Sequence, residues 1–362
     1  MQDIEKIEQS GQIEQFRQQV LAAGADKRPL RIRGGGTKDW YGQALDGDIL
    51  DTRAYCGIID YEPTELVITA RCGTPLADIE AALAERGQML AFEPPHFGPG
   101  ATFGGAVAAG LSGPRRATSG AVRDFVLGAV LMDGTGEVLT FGGQVMKNVA
   151  GYDVSRLLAG SMGTLGLMLQ HSVKVLPVAL REATLRFESS EIDAIRRLNE
   201  WGGQPLPISA SCWHAGVLTV RLAGAQAAVD AAVRQFGGAA VEDGPGFWAS
   251  LREQQHAFFT GAGADSVWRL SVPSTTGAII LKGEQLIEWG GAQRWLKAGS
   301  DAATAVSIRS AVSALGGHAT LFRGGDKGVG VFQPLAPAIA KIHQRLKAAF
   351  DPSHIFNPGR MY

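Results

Sequence analysis

Apolar positions along the first part of the chain recur in two periods. Around residues 10–24, Ile13, Phe16, Val20 and Leu21 share one helical face, with Ser10 placed to cap the start and Gly24 to close the end. Residues 30–33 read as a short strand that runs straight into Gly34-Gly35-Gly36-Thr37-Lys38. Residues 66–72 form a second β-rich run. Thr74-Pro75 then opens a helix that turns Leu76, Ile79 and Leu83 inward and stops at Gly87. The pattern predicts a β-α-β start with a glycine loop at its first turn.

Residues 93–125 lose all periodicity and are dominated by Gly, Pro, Ala and Thr, which in a compact domain marks a functional loop. Residues 126–132 and 137–141 then make a hairpin around Asp133-Gly134-Thr135-Gly136, and 165–176 is a further strand ended by Pro177. Past residue 180 the texture changes. Strand 183–187, helix 191–201, hairpin 208–213 with 217–222, helix 225–236 and strand 239–242 follow in the βαββαβ order of a ferredoxin-like unit. From 246 to 330 the alternation is less clear, and 336–350 is a last amphipathic helix before an extended tail. The expected fold class is α+β.

Composition narrows the picture. Hydrophobic residues make up 45% and charged residues 19% of the chain, as in an ordinary globular protein, and the net charge of -1 offers no basic field for nucleic acid. No apolar run nears the ~18 residues of a membrane span, and the polar N-terminus does not read as a signal peptide. The expected location is cytoplasmic, unless a partner holds the protein at a membrane. Cys56, Cys72 and Cys212 are far apart and form no CxxC pair, which fits a reducing compartment and leaves no ligand set for an iron–sulfur cluster. Glycine is in excess, 48 of 362 residues, against a usual share of ~7%.

The excess is clustered where backbone must approach something closely. Two common nucleotide signatures fail: Asp39 stands where GxGxxG needs its third glycine, and no GxxxxGK[ST] is present. A strand running into consecutive glycines nevertheless presents successive N–H groups as an anion nest suited to a pyrophosphate, with Thr37 and Ser112 as hydroxyl donors and Arg33 or Lys38 as charge. The other reading of the same motif is a flexible turn.

Several ordered segments carry a resemblance: RIRGGGTK at 31–38, PPHFGPGATFGG at 94–105, GLSGPRRATSGAVRDFVLG at 110–128, MKNVAGYDVSRLLAGSMGTLG at 146–166 and FDPSHIFNPGRM at 350–361. Together they resemble the vanillyl-alcohol-oxidase-type (PCMH-type) FAD-binding family over nearly the whole chain. WRLSVP at 268–273, EWGGAQRWL at 288–296 and GGHATLFR at 316–323 look like its glycolate oxidase branch. The resemblance implies a PCMH-type FAD-binding domain over 1–180, a ferredoxin-like cap over 181–330, and a C-terminal helix and tail, 331–362, returning to the first domain. It also implies that Arg33, Gly34, Gly35, Gly36, Thr37 and Lys38 wrap the FAD pyrophosphate. Thr102, Gly104 and Gly105 would follow the ribityl chain and flavin, with Ser112 and Gly113 nearby. Gly120 and Asp124 would shape the wall behind the cofactor, Gly163, Thr164, Leu165 and Gly166 would sit by the adenine, and Asn357 would return to the flavin side. The first loop holds Thr37 and Lys38 rather than the His of covalent relatives, and the second has no Cys, so the FAD is expected to be non-covalent. Tyr152 and Asp153 in KNVAGYD read as architecture.

Flavin oxidation of a 2-hydroxy acid needs a base for the hydroxyl proton and a cation for the carboxylate. His318 is the candidate base, with a hydrogen-bonded strand histidine as its alternative. Arg269 and Arg323 are candidate clamps, with ordinary salt bridges as theirs. Arg115-Arg116 reads as a phosphate contact, a partner contact or a solvated loop. The remaining histidines show no metal-ligand spacing. Three functions compete. The first is the FAD subunit of a glycolate oxidase complex with a larger FAD-containing subunit and an iron–sulfur subunit, oxidising a small 2-hydroxy acid or relaying its electrons. The second is a self-sufficient D-lactate or 2-hydroxy-acid dehydrogenase, and the third is an inert structural subunit. The GHxGDGNxH-type motif of the larger subunit is not found, which counts against independent oxidation.

Overall fold

The computed structural model describes residues 11–143, 153–261 and 266–361. The first helix, Gly11–Asp26, buries Ile13, Phe16, Val20 and Ala23. It outruns Gly24 and ends where Lys27 turns left-handed at φ 53°; Ser10 lies outside the described residues. Strand β1 (Leu30–Arg33) pairs in parallel with β2 (Asp48–Asp51), from Leu30↔Asp48 to Arg33↔Asp51. No helix joins them, so the expected β-α-β start is in fact β-loop-β. Three consecutive glycines are poor helix formers, and the loop is held instead by its approach to residues 98–102. The helix expected after Thr74-Pro75 is present as Leu76–Ala84, following β3 (Ile58–Glu62) and β4 (Val67–Arg71), with Leu76, Ile79 and Leu83 buried as read from the sequence.

The remaining strands of this part are β5 (Gln88–Met89), β6 (Val126–Met132), β7 (Val138–Gly142), β8 (Leu167–Lys174) and β9 (Leu176–Pro177). An antiparallel sheet runs in the order β3-β4-β8-β6-β7, and β5 pairs with β9. Strand β8 is buried on both sides, as a near-continuous apolar run requires. One face packs on Leu76, Ile79, Phe103 and Val107, the other on Ile13, Val20 and the tail residues Ile355 and Phe356. His171 in its centre is pushed down to about 4 by burial and stays neutral at physiological pH.

The second sheet holds β10 (Arg181–Glu188), β11 (Ile208–His214), β12 (Val217–Gly224), β13 (Ala239–Ala240), β14 (Ser266–Ser271), β15 (Glu284–Glu288), β16 (Gln293–Ala298) and β17 (His318–Gly324). Its order is β13-β10-β12-β11-β15-β16-β14-β17. The first four strands are the ferredoxin-like unit expected from the sequence. The last four repeat the same order in mirror sequence, so two units join edge to edge through β11 and β15. The repeat was hidden because a loop at 272–283 replaces the helix between β14 and β15, while the other crossover helix, Ala302–Ala314, is kept.

Helices cover one face of this sheet. The other presents Cys212, Leu286, Trp295 and Phe322, which pack with Tyr41, Leu111 and Met162 of the first part. Charge ties the same junction: Arg221, almost fully buried, meets Glu93 at 2.8 Å, and Arg115 bridges Glu93 at 3.3 Å and Glu182 at 3.2 Å. Arg116 lies over the Trp289 ring at 4.3 Å. Both arginines of the sequence pair therefore make contacts within the chain.

The tail turns back after the helix Pro337–Phe350 around one buried pair. Lys347 Nζ donates to Asp351 Oδ2 at 2.5 Å and to the carbonyls of Thr164 and Phe356 at 2.7 Å each, while Asp351 accepts the amides of Ile355 and Phe356. Removing one partner of a buried pair strands the other charge, at a cost of roughly 3–5 kcal/mol. Lys347→Met should lower unfolding free energy by about that amount in denaturant titration. A loss below about 1 kcal/mol would show that the pair does not anchor the tail.

Candidate functional site

The loop after β1 is shaped by close approach. A Cβ on Gly35 would sit 1.5 Å from the Gly100 carbonyl oxygen, so only glycine lets the two loops touch. Gly36 has φ 71°, and a Cβ there would run into the Arg33 guanidinium at 2.6 Å. Asp39, where a dinucleotide motif would have glycine, takes the Arg31 guanidinium directly and the Arg33 Nε at 3.3 Å. Among the described residues, no acceptor within the protein takes the amides of Gly34, Gly35, Gly36, Thr37 or Lys38. They form a row of free donors along a cavity whose far wall is Thr102, Gly105, Ala108, Ala109, Met162 and Asn357. Lys38 adds charge at the rim: Nζ donates to the His96 carbonyl at 3.1 Å and lies 5.6 Å from the Phe97 ring centre. Burial lowers it to about 8, with Glu253 acting in the opposite direction. Free amides, close glycines and a cation fit a diphosphate bound to a flat-ringed nucleotide.

The tail completes this cavity. Asn357 Oδ1 accepts the Ile32 amide at 3.0 Å and Nδ2 donates to the Met162 carbonyl at 2.7 Å. Arg360 Nη2 donates to the carbonyls of Asp39 at 3.0 Å and Lys38 at 3.3 Å, and Nη1 to that of Gln43. Burial lowers Arg360 to about 10, with Asp39 opposing. Arg360 escaped the sequence reading, although it stands in the quoted FNPGR segment, and Asp39 was read only as a break in a dinucleotide motif.

Nine expected cofactor residues line the cavity: Arg33, Gly34, Gly35, Gly36, Thr37, Lys38, Thr102, Gly105 and Asn357. Thr102 also caps the helix Phe103–Ala109 by accepting the Gly105 amide at 3.2 Å. The others stand back from it. Gly104 packs on Cys72, Gly163 lies against the Asn357 amide, and Thr164, Leu165 and Gly166 are packed within the first part. Gly120 and Asp124 close a turn in which Asp124 accepts the Ala121 amide at 2.8 Å. Asn148 and Tyr152 of KNVAGYD lie outside the described residues, and Asp153 caps the short helix Val154–Leu157.

Ser112 and Gly113 line a small inner pocket between the second glycine loop and the cap sheet, together with Gln254, Arg269, Glu288 and Gln293. Gln254 is buried, left-handed at φ 54°, and its Oε1 has no partner among the described residues. Glu288 is buried too, accepting Trp295 Nε1 at 2.6 Å and Gln293 Nε2 at 3.1 Å, and burial pushes its carboxyl up to about 7. Burial is the largest cause and the Glu93 charge adds to it, while the Trp295 and Gln293 hydrogen bonds oppose it; Glu288 opens the quoted EWGGAQRWL segment, but nothing there marked it as a perturbed carboxyl. Arg269 also lines a second cavity of about 660 Å³ with His318 and Thr320, roofed by residues 332–344 and Met361. His318 is lowered by burial and by the Arg269 charge. Arg323 is not in that cavity; its guanidinium stacks 4.5 Å from Trp40 and 5.5 Å from Phe97. Trp268 and Trp295 are core, and Trp289 Nε1 donates to the Gly113 carbonyl at 3.1 Å.

Sequence and fold comparisons agree with this geometry. A family profile described as an FAD binding domain matches residues 7–142. Glycolate oxidase subunit GlcE of Escherichia coli (strain K12) is 50% identical over 345 residues, 95% of this chain and 96% of that one. Glycolate oxidase subunit GlcD of Bacillus subtilis (strain 168) is 30% identical over 168 residues, 46% of this chain and 36% of that one. D-lactate dehydrogenase of Archaeoglobus fulgidus is 32% identical over 196 residues, 50% and 41% of the two chains. The solved structure of alkyldihydroxyacetonephosphate synthase shares the fold, with a TM-score of 0.65 over 94% of this chain and 74% of that one at 14% identity. The chain is thus an α+β FAD-binding protein with a PCMH-type domain. It belongs to the glycolate oxidase subunit GlcE family.

Glu288 supplies a pH test. A carboxyl near 4.5 in the unfolded chain and about 7 in the folded one binds fewer protons when unfolded, so stability falls as pH rises between those values. Glu288→Gln should escape this loss, gaining up to about 3 kcal/mol on the native protein between pH 4.5 and 7. Parallel unfolding curves of the two proteins across that range would refute the buried, protonated carboxyl.

Proposed function

We propose that the chain is the FAD-binding subunit of a glycolate oxidase complex. The observation that carries this reading is the row of free amides at Gly34–Lys38, facing Thr102 and Gly105 and closed by Asn357 and Arg360. These amides and Lys38 would hold the pyrophosphate of FAD, with Arg33 adding charge. When bound, FAD supplies the hydride acceptor for oxidation of a 2-hydroxy acid to a 2-oxo acid. Binding is non-covalent in this reading: the loop side chains are Thr37 and Lys38, and burial pushes the Cys72 thiol beside Gly104 far above its ordinary range, so it is no nucleophile. Ser112, Gly113, Gly120, Asp124 and Gly163–Gly166 support the cofactor from behind. The division at about residues 180 and 330 follows the two sheets and the returning tail.

Arg269 would take the substrate carboxylate, and His318, whose proton affinity is lowered by partial burial and by the Arg269 charge, would take the hydroxyl proton. Arg323 stacks on Trp40 and Phe97 instead. The family relationship to subunits named as parts of glycolate oxidase supports a multi-subunit enzyme, and we assign a larger FAD-containing subunit and an iron–sulfur subunit as partners. Three scattered cysteines leave the electrons an external route. No helix among the described residues is long and apolar enough to cross a membrane; membrane contact would come through the partners.

The purified chain should show a flavin absorption spectrum, released as free FAD on denaturation, and glycolate added without oxygen should bleach it. Bleaching only after the partner subunits are added would assign a relay role. No flavin after incubation with FAD would overturn the proposal.

A further inference from the structure

The cavity shared by Arg269 and His318 is much larger than a two-carbon acid. Its volume is about 660 Å³, within the ~300–1,000 Å³ that enclose drug-sized ligands. Glycolate has five non-hydrogen atoms and would leave space for more than about ten waters at ~30 Å³ each. The lining is divided by chemistry. The sheet side carries Arg269, His318 and Thr320, laid next to one another because Arg269 pairs with Thr320, and Ser271 with His318, across β14 and β17. The opposite side is mainly apolar, with Phe332, Pro334, Leu335, Ala336, Ala340 and Met361, and carries Gln333, His343 and Gln344 among them. No Asp or Glu lines the cavity, so its charged end is cationic, and apolar side chains make up most of the facing wall. Arg269 is held for this role, since Nη2 donates to the Tyr41 hydroxyl at 3.2 Å and the guanidinium lies 5.3 Å from the Phe322 ring. That leaves its other N–H groups for a carboxylate.

We propose that this cavity binds 2-hydroxy monocarboxylates bearing an apolar chain or ring, with the carboxylate on Arg269, the 2-hydroxyl toward His318 and Thr320, and the tail along Leu335, Ala340 and Met361. Its link to oxidation rests on the function proposed above; the binding itself does not. Each buried methylene strengthens binding by about fourfold, so a six-carbon tail should outweigh the small acid clearly.

Calorimetric titration of the full-length chain with 2-hydroxyoctanoate, glycolate and octylamine tests this. 2-Hydroxyoctanoate should bind at least about 30-fold more tightly than glycolate, and octylamine should not bind. Arg269→Gln should weaken 2-hydroxyoctanoate at least about tenfold. Ala340→Trp and, independently, Leu335→Gln should weaken it by a larger factor than they weaken glycolate. Equal affinity for the two acids, binding of octylamine as tight as that of the acid, or no effect of Arg269→Gln would overturn the proposal. The visible spectrum of the same samples separates the two readings. Selective binding by a chain that takes no FAD would leave this site standing and remove the flavin function. A flavin-loaded chain blind to 2-hydroxyoctanoate would do the reverse.

Discussion

Asn357 commits both atoms of its side-chain amide to backbone, one to Ile32 in β1 and one to Met162 in the loop before β8. Its own amide donates to Leu30, and Leu30 bridges Phe356 in parallel. One residue near the end of the chain therefore fixes the strand from which the glycine loop springs and the segment that forms the opposite wall. Arg360 extends the same clamp to the loop carbonyls. Without that closure the free amides of Gly34–Lys38 would have no fixed spacing, and an anion nest depends on convergent N–H groups. The buried Lys347–Asp351 pair serves this arrangement from behind by fixing where the tail turns.

The cap sheet is the second constraint. Its two ferredoxin-like halves place one continuous face against the first part, and the polar groups on that face fall in rows set by strand pairing. His318 stands opposite Ser271, Ser271 opposite Gln293, and Gln293 opposite Glu288. Arg269, one register step away, lines both the large cavity and the inner pocket. Sheet register thus assembles residues from distant parts of the sequence into one polar stripe, with aromatic packing of Trp40, Tyr41, Phe322 and Trp295 beside it.

Local chemistry was legible in the sequence wherever it was written in consecutive residues. The glycine loop, the hairpin around Asp133-Gly134-Thr135-Gly136, the first ferredoxin-like unit and the family segments all belong to that kind. What escaped the reading depends on distant partners. The second ferredoxin-like unit lost one helix to a loop, so its periodicity broke. Glu288 is ordinary in its neighbourhood and unusual only once the folded chain buries it. The local bond of the Thr164 hydroxyl to the Ser161 carbonyl, at 2.7 Å, was likewise not specified by the sequence. Arg323 was distinguishable from Arg269 only after the strand irregularity at 267–268 and its stacking on Trp40 were in view.

We propose that the returning tail holds the glycine loop in the form that binds FAD. Asn357→Gly tests it most directly, because glycine keeps the left-handed backbone at φ 41° and removes only the side-chain clamp. FAD affinity, followed by flavin fluorescence on a variant whose circular dichroism matches the native chain, is the quantity to measure. The account predicts a dissociation constant raised at least about tenfold, the loss of roughly one to two hydrogen bonds. An unchanged dissociation constant would contradict it.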